Sequence, residues 1–170
     1  MKTLYLLRHA KSSWDNPSLS DIDRPLNRRG ERDAPRMGAA LAARYRPIDF
    51  HVSPAERAQR TFEGLRSGWP GLQSTHGTID PTLYTFDYRT LLDWIAKGDD
   101  NTTSLAVVGH NPALTELIQF FAGPTAIDNL PTAGWSELAI YTERWSGIYG
   151  ARERGELVYQ LLPRTLREAI

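Results

Sequence analysis

Apolar residues along this chain fall into short runs that alternate with longer stretches of helical spacing. Lys2–Leu7 is a continuous apolar, β-prone run that fits a buried strand. A polar loop follows from Arg8 to about Asn27, marked by Pro17 and Pro25. From about Arg28 to Tyr45 the spacing predicts a helix with Met37, Ala40, Leu41 and Ala43 on one face. Asn27 is placed to cap it, and Pro35 should kink or split it. Asp49–Val52 reads as a second strand. Ser53-Pro54-Ala55-Glu56 then has the form of a capping box that opens a helix to about Arg66. Leu72–Ile79 is a weaker strand, and Tyr88–Lys97 a helix with Leu91, Leu92 and Ile95 inward. Ser104–Val108 is a strong buried strand. Asn111-Pro112 caps a helix that runs to about Phe121 and stops at Gly123. Ser136–Thr142 and Glu156–Leu162 are the last strands. Early strands alternate with helices, which predicts an α/β fold: a three-layer sandwich around a mostly parallel sheet. The last two strands would extend it as an antiparallel edge pair. No repeat or linker interrupts the pattern, so residues 1–170 read as one domain.

Composition narrows the functional classes. Twenty basic and twenty acidic residues balance, so no global charge points to nucleic acid or an anionic membrane. No apolar run is long enough to span a bilayer, and the opening run stops at Arg8-His9 without a cleavage-site pattern. Cysteine is absent, which excludes disulfides and thiolate metal sites and is compatible with a cytoplasmic protein. Any affinity for phosphate must therefore come from arginines gathered locally.

Three strand-to-loop junctions can gather them: Arg8-His9-Ala10, the segment Ser53 to Thr61, and Gly109-His110-Asn111-Pro112. In an open parallel α/β sheet, ligands bind beyond the carboxyl ends of the strands, where all three junctions lie. Arginine offers phosphate a permanently charged planar fork. A neutral imidazole is a competent nucleophile at phosphorus. Helix starts after Ser53 and Asn111 would add backbone donors.

These segments resemble the histidine phosphatase superfamily, which includes phosphoglycerate mutases and many phosphatases. Arg8-His9-Ala10 is similar to its Arg-His-Gly signature, Ser53-Pro54…Arg57-Ala58…Thr61 to its second motif, and Gly109-His110-Asn111-Pro112 to its third. The short chain, the Arg8 to Trp14 opening and Arg24-Pro25-Leu26 are most similar to SixA-type phosphohistidine phosphatases. The resemblance implies a phosphoglycerate mutase-like fold, His9 as nucleophile and His110 as the second pocket histidine. It implies Arg8 and Arg57 as phosphate ligands; Ser12 and Asn111 are further substrate-binding candidates. Ala10 stands where the family has glycine, which is tolerable if that backbone is not at positive φ. Many mutase-like members place a Glu between the second and third motifs as general acid. Here no Glu stands at such a place, since Glu63 lies on the second-motif helix; Asp80 and Asp87 are the nearest acidic candidates for proton donor, beside Asp15 and His110.

The expected reaction is a metal-independent, cofactor-free hydrolysis through a covalent phosphohistidine. A protein phosphohistidine suits a site with no dedicated acid, because neutral imidazole leaves more readily than an alkoxide. A small phosphoester substrate, a mutase-like transfer and a catalytically silent phosphate-binding module are the alternatives. Nothing in the sequence sets the oligomeric state. His51 is expected to be packed inside its strand and His76 to lie at the surface. The Asp15, Asp21, Asp23 group reads as a solvated loop, with Asp23 paired to Arg24 or Arg28. Trp14 could cover the pocket, stack on a substrate ring, or simply pack.

Overall fold

The computed structural model describes residues 1–168. Six strands form one sheet in the order β3-β2-β4-β1-β5-β6. They are β1 (Lys2–Arg8), β2 (Phe50–Val52), β3 (Gly77–Ile79), β4 (Ser104–Gly109), β5 (Trp135–Ile140) and β6 (Gly155–Leu161). β1, β2, β3 and β4 pair in parallel, while β5 runs antiparallel to β1 and β6 antiparallel to β5. The α/β class, the mostly parallel sheet and the antiparallel pair at one edge are as expected from the alternation of elements.

Side chains alternate across β1, so both faces of the sheet are covered. Leu4 and Leu6, with Leu105 and Val107 of β4, pack beneath α3 (Tyr88–Ala96) and α4 (Ala113–Ala122). Leu7, Phe50, Val52, Ala106 and Val108 pack beneath α1 (Arg28–Ala42) and α2 (Glu56–Gly68) on the other face. A short C-terminal helix, α5 (Pro163–Glu168), follows β6 and was not expected.

Several local expectations are corrected. Pro35 does not split α1, which is continuous. Its buried face is Ala34, Met37, Gly38 and Leu41; Ala43 is exposed and Ala40 only half-buried. The strand expected over Leu72–Ile79 is confined to its last three residues, because Pro70–Ser74 form a 3-10 turn. The capping box does not form: α2 is preceded by Ala55, and Ser53 is held at the sheet by its N–H to the Val108 carbonyl, 3.0 Å. Asn27 does cap α1, its side chain accepting from the Gly30 N–H. Gly123 ends α4 at φ 101°, a conformation that favours glycine.

α1 and α2 pack backbone to backbone. A Cβ on Gly38 would strike the Leu65 carbonyl oxygen, and one on Gly68 the Pro35 carbonyl oxygen. The struck atoms are backbone, so the helices themselves would have to separate. Overpacking then outweighs the roughly 1 kcal/mol of helix propensity gained by leaving glycine. Gly38→Val is expected to lower unfolding free energy by roughly 2–3 kcal/mol in urea titrations. An unchanged midpoint would show that the helices are not this close.

Candidate active site

Register brings the three junctions level. Arg8 pairs with Gly109 and Val52 with Val108, so His9, Ser53 and His110 are the first residues past the paired strands. The His9 N–H donates to the Gly109 carbonyl at 3.1 Å, which ties the first junction to the third. The two imidazoles lie 5.2 Å apart between ring centroids, and both are buried.

His9 is oriented by its own loop. Its Nδ1 lies 2.7 Å from the Ala10 carbonyl oxygen, so Nδ1–H donates there and Nε2 keeps its lone pair. The Ala10 N–H donates to Thr61 Oγ1 at 2.8 Å, and the Thr61 hydroxyl donates to the Arg57 carbonyl at 2.7 Å. That chain holds the His9 loop on α2. Ala10 itself is not at positive φ: among the described residues other than glycine, only Ala133 and Glu153 are. The replacement of glycine therefore carries no backbone strain.

His110 is boxed in. Ser53 Oγ lies 2.7 Å from its Nε2, and an Arg57 terminal nitrogen lies 3.4 Å from its Nδ1. The rings of Tyr84 and Phe86 stand edge-on at 5.4 and 5.5 Å. Burial drives the pKa of both His9 and His110 down to about 3. For His9 the Ala10 carbonyl opposes the shift, and the nearby arginines reinforce it. For His110, His9 and Arg57 reinforce it. Both rings are therefore neutral at physiological pH.

The arginines converge on the same place. Arg57 donates to the Asp21 carbonyl at 2.6 Å and to Asp21 Oδ2 at 2.9 Å. Arg8 donates to the Leu130 carbonyl at 3.0 Å, and its buried Nε has no protein partner. Arg24 donates to Asp21 Oδ1 at 3.0 Å and to the Ser12 hydroxyl. Tyr84 donates to Asp21 Oδ2 at 2.6 Å. Burial works against the Asp21 charge, but the bonds from Tyr84, Arg57 and Arg24 outweigh it and hold its pKa at about 2. Asp21, rather than Asp23, is thus the partner of Arg24; Asp23 accepts from Ser20 instead.

The remaining candidates divide. Ser12 is buried on Arg24 and bridges to Leu26. The Asn111 side chain is committed elsewhere: its oxygen accepts from the Thr115 N–H and hydroxyl, and its amide donates to Asn129 and to the Leu130 carbonyl. Asp80 accepts from Thr82 and from the Trp94 indole, while Asp87 caps α3 and pairs with Arg89. Asp15 is exposed. None of the three carboxylates bonds to a residue of the pocket in the way Asp21 does. Trp14 is 73 % exposed and lies under the Arg24 guanidinium, 3.3 Å from the ring centre. His51 is half-buried and edge-on to Trp94, and His76 is exposed, as expected.

The sequence reads Asp21 as part of a solvated loop, where the structure sets it on Arg57, Arg24 and Tyr84; Tyr84, Phe86 and the Ser53–His110 pair are not singled out by the sequence at all. Only Asp21 carried a signal there, its spacing of three from Arg24. The others depend on contacts between distant segments.

A parallel sheet whose strand ends present paired neutral histidines beside arginine forks is a framework for handling phosphoryl groups. The chain belongs to the histidine phosphatase superfamily: residues 4–84 match the model of its branch 1. An uncharacterised protein of Mycobacterium tuberculosis is 31 % identical over 152 residues, covering 84 % of this chain and 91 % of its own. A structure named for the phosphohistidine phosphatase SixA, from Agrobacterium tumefaciens, superposes with a TM-score of 0.77 at 27 % identity, over 95 % of this chain and 98 % of the other. A mycobacterial glucosyl-3-phosphoglycerate phosphatase shares the fold at TM-score 0.66 and 14 % identity, covering 92 % and 97 %. Membership and the SixA likeness support phosphatase activity. No helix among the described residues is long and apolar enough to cross a membrane.

Proposed function

We propose that the protein is a phosphatase that works through a phosphohistidine at His9 and acts on phosphohistidine in proteins. The observation that carries the mechanism is the Nδ1–Ala10 bond, which leaves the Nε2 lone pair of a neutral imidazole free beside Arg57 and His110. Nε2 attacks phosphorus and forms the P–N bond as the bond to the leaving atom breaks. Arg8, Arg57 and His110 compensate charge on the phosphoryl oxygens. Water then attacks the phosphohistidine, releasing phosphate and regenerating His9. The arginines supply the positive charge, so the proposed chemistry calls for no metal and no cofactor.

The substrate preference follows from proton supply. Asp21 is held ionised and His110 neutral, so neither carries a readily released proton at pH 7. A leaving group that brings its own proton suits this pocket. Protonated phosphohistidine departs as neutral imidazole, whereas an alkyl phosphoester must expel an alkoxide. The small-molecule phosphatase of the same fold keeps a phosphoester substrate as the rival reading.

The test compares phosphate release from a phosphohistidine protein with release from a panel of alkyl phosphomonoesters, with chelator present. A kcat/KM at least about tenfold higher for phosphohistidine is expected. Preference for an alkyl phosphoester would keep the nucleophile and overturn the substrate. Loss of activity in chelator would overturn the metal-independent mechanism.

A further inference from the structure

Ser53 forms part of the superfamily's second motif, yet its hydroxyl turns away from helix capping and onto His110. We propose that Ser53 is a positioning residue that holds neutral His110 as its Nδ1–H tautomer, so that His110 offers a hydrogen-bond donor to the transferring phosphoryl group. The inference rests on the phosphatase reading for its kinetic consequence, though not for the tautomer itself.

The Ser53 side chain is fully buried, so water does not satisfy it. Its oxygen accepts from the Ala55 N–H at 3.2 Å. The hydroxyl has one hydrogen to give, and among the described residues its one acceptor is His110 Nε2, at 2.7 Å. If Nε2 carried the proton instead, Ser53 would accept twice and its own hydrogen would be buried without a partner. An unmade buried bond of that kind is costly enough to decide between tautomers of similar energy.

The other side of the ring competes only weakly, through a guanidinium that can donate but not accept. The Arg57 nitrogen is 3.4 Å from Nδ1, beyond the usual 2.7–3.2 Å of a sound N–H bond. Arg57 has its shorter bonds at Asp21, and its long contact to Nδ1 is weaker than the 2.7 Å bond that Ser53 would forfeit, so the Ser53 side decides the tautomer. The rings of Tyr84, Phe86 and His9 surround His110, which keeps Nδ1 from turning to another partner. A ring fixed in this way donates from Nδ1 while remaining neutral. It therefore adds no further positive charge beside Arg8 and Arg57, and it needs no rearrangement as negative charge develops on the phosphoryl oxygens.

Two measurements test this, the first without turnover. Nitrogen-15 NMR of the imidazoles should show His110 protonated at Nδ1 in the wild-type protein, and a shift toward Nε2–H in Ser53→Ala. Finding Nε2–H in the wild type would overturn the inference while leaving the phosphatase reading intact. In turnover, Ser53→Ala is expected to lower kcat about tenfold with KM changed by less than about twofold, because the donor matters most in the transition state. Ser53→Thr, which keeps the hydroxyl, should recover most of the loss. A higher KM at unchanged kcat, or wild-type kinetics in Ser53→Ala, would overturn it. Absence of turnover on every phosphate by a wild-type protein with the expected tautomer would instead sink the proposed function alone.

Discussion

His9→Ala is expected to reduce phosphate release by at least about a thousandfold while the protein stays folded. The size of the loss follows from the role. Without the imidazole no covalent intermediate forms, and water would have to attack the substrate directly in a pocket with no base to activate it. The fold should survive because the backbone at position 9 keeps its ties. Its N–H still donates to Gly109, and its carbonyl still accepts from Ala133. The lost side chain also ends the cost of burying a titratable ring. Phosphate release and circular dichroism on the same preparation make the measurement. In parallel, an alkaline quench after brief exposure of wild type to substrate should trap an acid-labile phosphoryl group on His9. Activity within about tenfold of wild type in the variant would remove His9 as nucleophile. Phosphate binding without a trapped intermediate would point to a silent binding module.

How much of this was legible in the sequence depends on how far each feature reaches along the chain. β1 and β4 were legible because strands buried on both faces read as unbroken apolar runs. The three junctions were legible because parallel topology places every strand end on one edge, so His9, Arg57 and His110 needed no contact information to be grouped. Ser53 was misread for the same local reason that made it conspicuous. Its spacing to Glu56 matches a capping box, but the sheet bond to Val108 holds it two residues too early to cap α2. Asp21 shows the opposite failure. Its partners Arg57 and Tyr84 lie 36 and 63 residues away, and nothing local announces them. Pro35 was expected to break α1 because it removes a backbone donor. It is kept because α2 packs tightly on it, with Gly64 and Gly68 leaving room for its ring and carbonyl. Tertiary packing there outweighs a local propensity.

The buried histidines also set how stability changes with pH. An imidazole free in the unfolded chain takes a proton near 6.5, whereas His9 and His110 in the folded protein resist it until about pH 3. Below 6.5 the unfolded state therefore binds more protons, and stability must fall as the pH falls toward 3. Above 6.5 neither state is protonated, and these groups make stability flat. By pH 5 the cost is roughly 2 kcal/mol for each histidine, since each unit of separation is worth about 1.4 kcal/mol. Asp21 does not confuse this window. Its pKa is lowered from 3.8 to about 2, so its stabilisation is fully present above 3.8 and is lost only as pH falls through that value toward 2. His51, half-buried with a lowered pKa, adds to the histidine trend in the same direction. Urea unfolding of wild type at pH 7 and pH 5 should show the loss, and His9→Ala should lose about 2 kcal/mol less over the same interval. Equal losses in the two proteins would mean that His9 is not held neutral by burial. Catalysis should behave differently across that interval. His9, the proposed nucleophile, stays neutral, so turnover under saturating substrate should not show the roughly thirtyfold fall by pH 5 that protonating an ordinary imidazole would impose. A protein that becomes easier to unfold while its nucleophile stays competent is the joint signature of a histidine kept neutral by burial, and an exposed histidine at the same position would produce neither effect.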